Sequence, residues 1–158
     1  MIHEPQHTIT GLAVNAPAGL TLTFADGAGL AVDLSDVIRC HAALAALADP
    51  ALFARAHLDA RGGYVVWVED DLEMAADNLR NLGIEQAGGI GPERLMAWMA
   101  RNALTQERAA QAIGVSRRML NYYLSGAKAI QDRLAGLPGL GVFVHRRRSA
   151  VSAHFPPQ

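Results

Sequence analysis

The chain has 158 residues, of which 51% are apolar and 18% charged, and its formal net charge is −1. That length suits one ordinary domain or two small ones, and the apolar content excludes a disordered chain. A lone cysteine, Cys40, excludes an internal disulfide framework and a cysteine-built zinc site.

In chain order, residues 1–7 read as a lead-in and Thr8 to Asn15 as a strand. Leu20, Leu22 and Phe24 alternate onto one face of the next strand, Asp26-Gly27 signals a hairpin, and Leu30, Val32 and Leu34 repeat the alternation. Such a sheet needs a cover. Ser35 is placed to cap a helix from Asp36 to about Ala48, with Val37, Cys40, Leu44 and Leu47 as its apolar stripe and Pro50 as its stop. Cys40 on that stripe reads as a buried structural thiol. A second hairpin turns at Arg61-Gly62-Gly63, and the β-branched and aromatic run Tyr64 to Val68 reads as a central strand. Asp70 or Asp71 caps a helix from about Leu72 to Leu82, which Gly83 ends. The acids Asp70, Asp71, Glu73 and Asp77 lack the alternation and central glycine of a calcium loop, so they read as a cap and a solvated face.

The glycines of residues 84–91 read as a hinge. Pro92 opens a helix on which Leu95, Met96, Met99 and Ala103 form an apolar face, with Trp98 in the core or at the junction. Thr105 caps a short helix with Ala109, Ala110 and Ile113 on one face. Gly114 supplies a left-handed end, Ser116 caps a second helix carrying Leu120, Tyr123 and Leu124, and Gly126 closes it. A fourth short helix is expected over Ile130 to Leu134. Leu140 to Val144 is apolar and β-prone. It is open to closing the domain, to joining the N-terminal sheet or to making a dimer contact. Arg146-Arg147-Arg148 is either an arm along DNA or a solvated tail.

Charge divides the chain. Residues 1–91 hold four basic residues against twelve acids, a net of −8, and residues 92–158 hold ten against three, a net of +7. An acidic half joined to a basic half suits a sensor or partner domain attached to a nucleic-acid reader. MIHEPQHTIT lacks the pattern of a signal peptide, and no stretch approaches the ~18 apolar residues of a membrane span. A cytoplasmic protein is therefore expected.

Two resemblances bear on these elements. Thr105-Gln106, Gly114 and Ser125-Gly126 stand where the phage-repressor (Cro-type, xenobiotic response element) helix-turn-helix class has its landmarks, and the segment resembles that class. Ala109 departs from it, since that position usually holds Leu, and Leu124 stands where Glu is usual. The resemblance implies an all-α lambda-repressor-like domain. Its base-contacting positions fall on Arg117, Arg118 and Tyr122. Asn121 is left open between base and phosphate, and Gln106, Ser116, Ser125 and Lys128 are the expected phosphate contacts. The N-terminal half, with Asp33-Leu34, Phe53, Asp59, the strand from Gly63 to Trp67 and the acids after it, resembles a small bacterial α+β family of unknown function. Glu69-Asp70-Asp71 stands where a turn glycine is expected. Members of that family suggest an antitoxin-like role with a toxin-like protein partner.

The expected fold class is thus α+β: an N-terminal antiparallel sheet with two covering helices, then an all-α helix-turn-helix domain. The expected divisions are 1–83, a hinge at 84–91, a DNA-binding domain at 92–146 and a tail at 147–158. The expected function is a sequence-specific DNA-binding regulator, acting as a homodimeric repressor on double-stranded DNA. The alternative is an antitoxin-like interaction module with DNA binding as secondary autoregulation. A small-molecule sensor ranks last, for want of a convergent polar cluster. The six histidines form no zinc-binding helix pair, and no phosphate-binding or nucleophile loop is present. No enzyme activity, metal or cofactor is expected.

Overall fold

The computed structural model describes residues 4–130. The fourth helix expected beyond Ile130, the apolar run at 140–144, the arginines at 146–148 and the proline tail lie outside the described residues. The chain divides into two compact units, 1–86 and 87–158.

The first unit holds two three-stranded antiparallel sheets. In the first sheet β1 (Ile9–Asn15), β2 (Gly19–Phe24) and β3 (Gly29–Asp33) follow in sequence order. Leu20 pairs with Val32 and Leu22 with Leu30. Leu20, Leu22, Phe24 and Val32 are buried while Thr21 and Thr23 face out, as period-two alternation requires. In the second sheet β5 (Tyr64–Val68) lies between β4 (His57–Leu58) and β6 (Leu72–Ala75). Trp67 packs on Phe53 with ring centroids 5.7 Å apart, and its indole N–H donates to the Phe53 carbonyl at 3.1 Å. A buried indole needs such a partner.

The Gly62-Gly63 turn joins elements far apart in sequence. Ile9 N–H donates to the Gly62 carbonyl at 2.7 Å and Ala76 N–H to the Gly63 carbonyl at 2.8 Å. Gly62 has φ +72, and a Cβ there would stand 2.3 Å from the Ile9 carbonyl oxygen. Only glycine fits both the left-handed backbone and the approach.

The expected single sheet under two helices is corrected here. Leu72 to Ala75 is a strand, so the helix α3 begins later and runs Ala76–Gln86. The reversal before it is made by Asp70, at φ +58. Asp takes the left-handed role usually given to Gly, as short polar side chains can. Leu72 and Met74 are two apart and Leu72, Ala76 and Leu79 fit a helix almost as well, so periodicity alone misplaced the boundary. Gly83 does not end α3. It lies inside it, where a Cβ would meet Val32 and Leu30 at 3.1 and 3.2 Å. The other expected helix is broken. α1 covers only Ser35–Cys40, a 3-10 segment follows over Ala42–Ala48, and α2 is Pro50–Phe53 with the Asp49 side chain as its cap. Pro50 therefore starts a helix. Ile38, Leu47 and Phe53 are the buried residues of this region, and Cys40 is exposed, so its assignment as a buried thiol is also corrected.

A charged pair ties α3 to the turn after β2. Arg80 on α3 donates from Nη1 and Nη2 to the two carboxylate oxygens of Asp26 at 3.1 and 2.8 Å, and from Nη1 to the Gln6 carbonyl at 3.0 Å. Its guanidinium carbon lies 4.9 Å from the centroid of Phe24.

The second unit has three described helices: α4 (Pro92–Arg101), α5 (Gln106–Ile113) and α6 (Arg117–Ser125). Leu95, Trp98, Ala109, Ala110, Ile113, Leu120, Tyr123 and Ile130 form its core. Trp98 is thus a core residue, whereas Met96 is 48% exposed. A lambda-repressor-like all-α domain is not what these described residues show, and that part of the expected fold class is corrected.

Candidate nucleic-acid interface

Two helices and a turn present the candidate surface. Thr105 Oγ1 accepts from Arg108 N–H at 3.2 Å and so starts α5. Gly114, at φ +73, ends it by donating its N–H to the Ala110 and Gln111 carbonyls. Ser116 Oγ accepts from Met119 N–H at 3.1 Å and starts α6, and Gly126, at φ +76, ends it. Both caps satisfy backbone groups that a short helix leaves open.

At about 100° per residue, α6 sorts its side chains into two arcs. Leu120 and Tyr123 are buried, with Met119 and Leu124 partly so beside them. Arg117, Arg118, Asn121 and Ser125 are exposed on the opposite side, and Tyr122 is half-buried at its edge. The structure thus brings Arg117, Arg118, Asn121 and Tyr122 onto one surface, with Lys128 beside it. Arg118 Nε donates to the Tyr122 hydroxyl at 3.1 Å, and its guanidinium carbon is 5.7 Å from the ring centroid. Lys128 Nζ is 5.0 Å from the same centroid.

The other expected contacts fall less uniformly. Gln106 is exposed in the first turn of α5, where backbone N–H groups and the helix dipole favour an anion. Ser116 has its oxygen engaged as a cap acceptor, which leaves its O–H able to donate. Ser125 is turned to its own helix end, donating to the Tyr122 carbonyl at 3.2 Å and accepting from Ala127 N–H at 3.4 Å. Sequence reasoning missed the tie between Arg118 and Tyr122. Their separation of four residues is the signal that could have found it.

Residues 87–130 carry six basic side chains against Glu93 and Glu107. Neither Arg117 nor Arg118 has a carboxylate partner among the described residues. Among those residues no group of three or more His, Cys, Asp or Glu could hold a metal ion. No described helix is long and apolar enough to cross a membrane.

The first unit places the chain in a class. The family described as "protein of unknown function (DUF2442)" matches residues 13–85, within the first unit. More particularly, the chain is similar to a solved structure from Nitrosomonas europaea whose protein is described as a "Putative DNA Binding Protein". The two are 36% identical, the match covers 80% of this chain and 81% of the other, and the TM-score is 0.72. No curated protein matches the chain.

The expected membership of the phage-repressor class is corrected by this result, since the matching family is one of unknown function located in the first unit. The physical reason lies in the landmarks themselves. Thr105, Gly114, Ser116 and Gly126 are caps, and caps are what any two short helices joined by a tight turn require. They specify the turn and leave the class open.

Proposed function

We propose that this chain is a sequence-specific DNA-binding regulator whose second unit lays α6 in the major groove. The carrying observation is the exposed arc of α6, where two arginines, free of carboxylates among the described residues, stand beside an asparagine, a tyrosine and a lysine. Arginine and asparagine are the side chains whose donors match guanine and adenine edges. The net positive charge of the second unit supplies the phosphate attraction that precedes reading. The solved structure similar to this chain supports the same reading, being described as a DNA-binding protein of putative status. In this reading Arg117, Arg118 and Asn121 face bases, and Gln106, Ser116 and Lys128 face phosphates. A homodimer would address two half-sites roughly 34–36 Å apart and act as a repressor. No catalytic role is assigned.

The test is fluorescence anisotropy of the full chain on the DNA upstream of its own gene, with an unrelated duplex as competitor, at two salt concentrations. Binding that survives competitor and physiological salt is the expected result. Weak binding, equal on both duplexes and lost with salt, overturns it, because that is the generic phosphate contribution alone.

A second reading, a partner-binding role for the first unit, is favoured by Tyr64 and Val68, 42% and 37% exposed on β5 next to Glu69, Asp70 and Asp71. It expects a basic protein partner of the toxin-like kind. Loss of that partner from the purified complex on Tyr64→Lys with Val68→Lys would be its signature, and retention would sink it.

A further inference from the structure

Tyr122 stands against two cations at once. Its hydroxyl accepts from Arg118 Nε at 3.1 Å, and the Lys128 ammonium lies 5.0 Å from its ring centroid. The Lys128 N–H also donates to the Tyr122 carbonyl at 3.3 Å. The ring is half-buried while Arg118 and Lys128 are exposed. An anchored phenol therefore holds a side chain that would otherwise sweep many rotamers.

We propose that Tyr122 is a positioning residue that presents Arg118 end-on to a guanine. This rests on the DNA-binding reading above. With Nε engaged, the donors left are the terminal amino groups Nη1 and Nη2, which have no partner among the described residues. They lie in one plane and form a fork that matches guanine O6 and N7 in the major groove. A phosphate accepts from almost any of the five guanidinium donors and gains little from a fixed plane. A base edge accepts only a fork held in its own plane, so fixing Nε favours base over phosphate.

The probe is a duplex selected by the full chain from a randomised library, then remade with 7-deazaguanine at one guanine at a time. That change deletes the N7 acceptor and leaves pairing intact. The wild type is expected to lose about tenfold in affinity at one guanine, a typical size for a bidentate contact. Arg118→Ala should lose a similar factor on the unmodified duplex and become indifferent to that replacement. Tyr122→Phe keeps the ring and removes only the hydroxyl. It should shrink the 7-deazaguanine effect, leave the salt slope unchanged, and add no further loss in the Arg118→Ala background. Thermal unfolding should be unaltered, which separates positioning from stability. A uniform loss on all duplexes with a shallower salt slope would mean a phosphate clamp and overturn the proposal. Equal losses from Tyr122→Phe with and without Arg118 would overturn it too, while leaving the DNA-binding reading intact. A selection that enriches no sequence overturns both.

Discussion

Arg80 and Arg118 each lie against an aromatic ring, and they differ in what holds their terminal donors. Arg80 sits 4.9 Å from the Phe24 centroid, with both terminal amino groups bonded to Asp26 and one also to the Gln6 carbonyl. Arg118 sits 5.7 Å from the Tyr122 centroid, with only its Nε bonded, to the phenol. The first is buried and closed on its own unit, and the second is exposed and open at its far end. Phe24 offers a face alone, whereas Tyr122 offers a face and an acceptor, so one ring lies against an ion pair and the other orients a guanidinium with no carboxylate partner among the described residues. In the proposed reading, the same side chain is a structural clamp in the first unit and a recognition element in the second.

The contrast predicts opposite phenotypes. Replacing Arg117 and Arg118 together by Ala should remove two base contacts at roughly 1–3 kcal/mol each. Anisotropy should show specific affinity falling by that amount while the melting curve stays put. Unchanged affinity would assign the reading role elsewhere. Arg80→Ala should do the reverse. It strands the carboxylate of a part-buried pair, so stability should fall by about 2 kcal/mol, within the range for removing one partner of a hydrogen-bonded charged group. Chemical denaturation would record the loss, and the protein that remains folded should bind DNA normally. A loss near zero would mean that water replaces the guanidinium freely.

Smaller effects sharpen the comparison. Thr105→Ala and Ser116→Ala each remove a cap, at about 1 kcal/mol apiece. Ser116→Ala should also weaken DNA binding through fraying at the arginines, and Thr105→Ala should not, a difference that anisotropy on both variants would expose. The smallest effect is one of pH. Hydrogen bonding from Arg80 holds the Asp26 carboxyl below its ordinary value of 3.8, against an opposing push from burial. A group lowered in the folded state contributes stability above its unfolded pKa and loses it as pH falls through the folded value. Wild-type stability should therefore drop in the window below about pH 4, and Asp26→Asn should flatten that part of the profile. Parallel acid-unfolding curves for the two proteins would refute it.

What the sequence disclosed followed the range of the forces involved. The first sheet was legible because Leu20, Leu22, Phe24 and Val32 alternate without interruption and Asp26-Gly27 marks the turn between them. The ends of α5 and α6 were legible because Thr105, Ser116, Gly114 and Gly126 act within a few residues of themselves. The strand at Leu72 was not, since a four-residue strand running into a helix carries too few periods to separate 2 from 3.6. The helix expected over 36–48 failed because an alanine-rich stretch follows any helical pattern, while His41 in fact takes extended backbone, at φ −120 and ψ 112. The ion pair between Asp26 and Arg80 spans 54 residues and leaves no local trace. On the candidate surface the arginines were placed by the resemblance to the helix-turn-helix class, not by any periodicity. Tyr122 was expected as a base contact, and the hydrogen bond its hydroxyl accepts from Arg118 was not foreseen.

The Gly62-Gly63 turn has a kinetic meaning. Its two carbonyls receive the N–H groups of Ile9, near the start of the first sheet, and of Ala76, at the start of α3. The bond from Ile9 cannot form until the long loop between residues 9 and 62 has closed, so the search for this junction should limit the folding rate of the first unit. Once formed, it binds the two sheets into a single cooperative block. The amide of Ile9 should then exchange with solvent only when the second sheet opens as well, and its protection should track the global unfolding free energy of the unit.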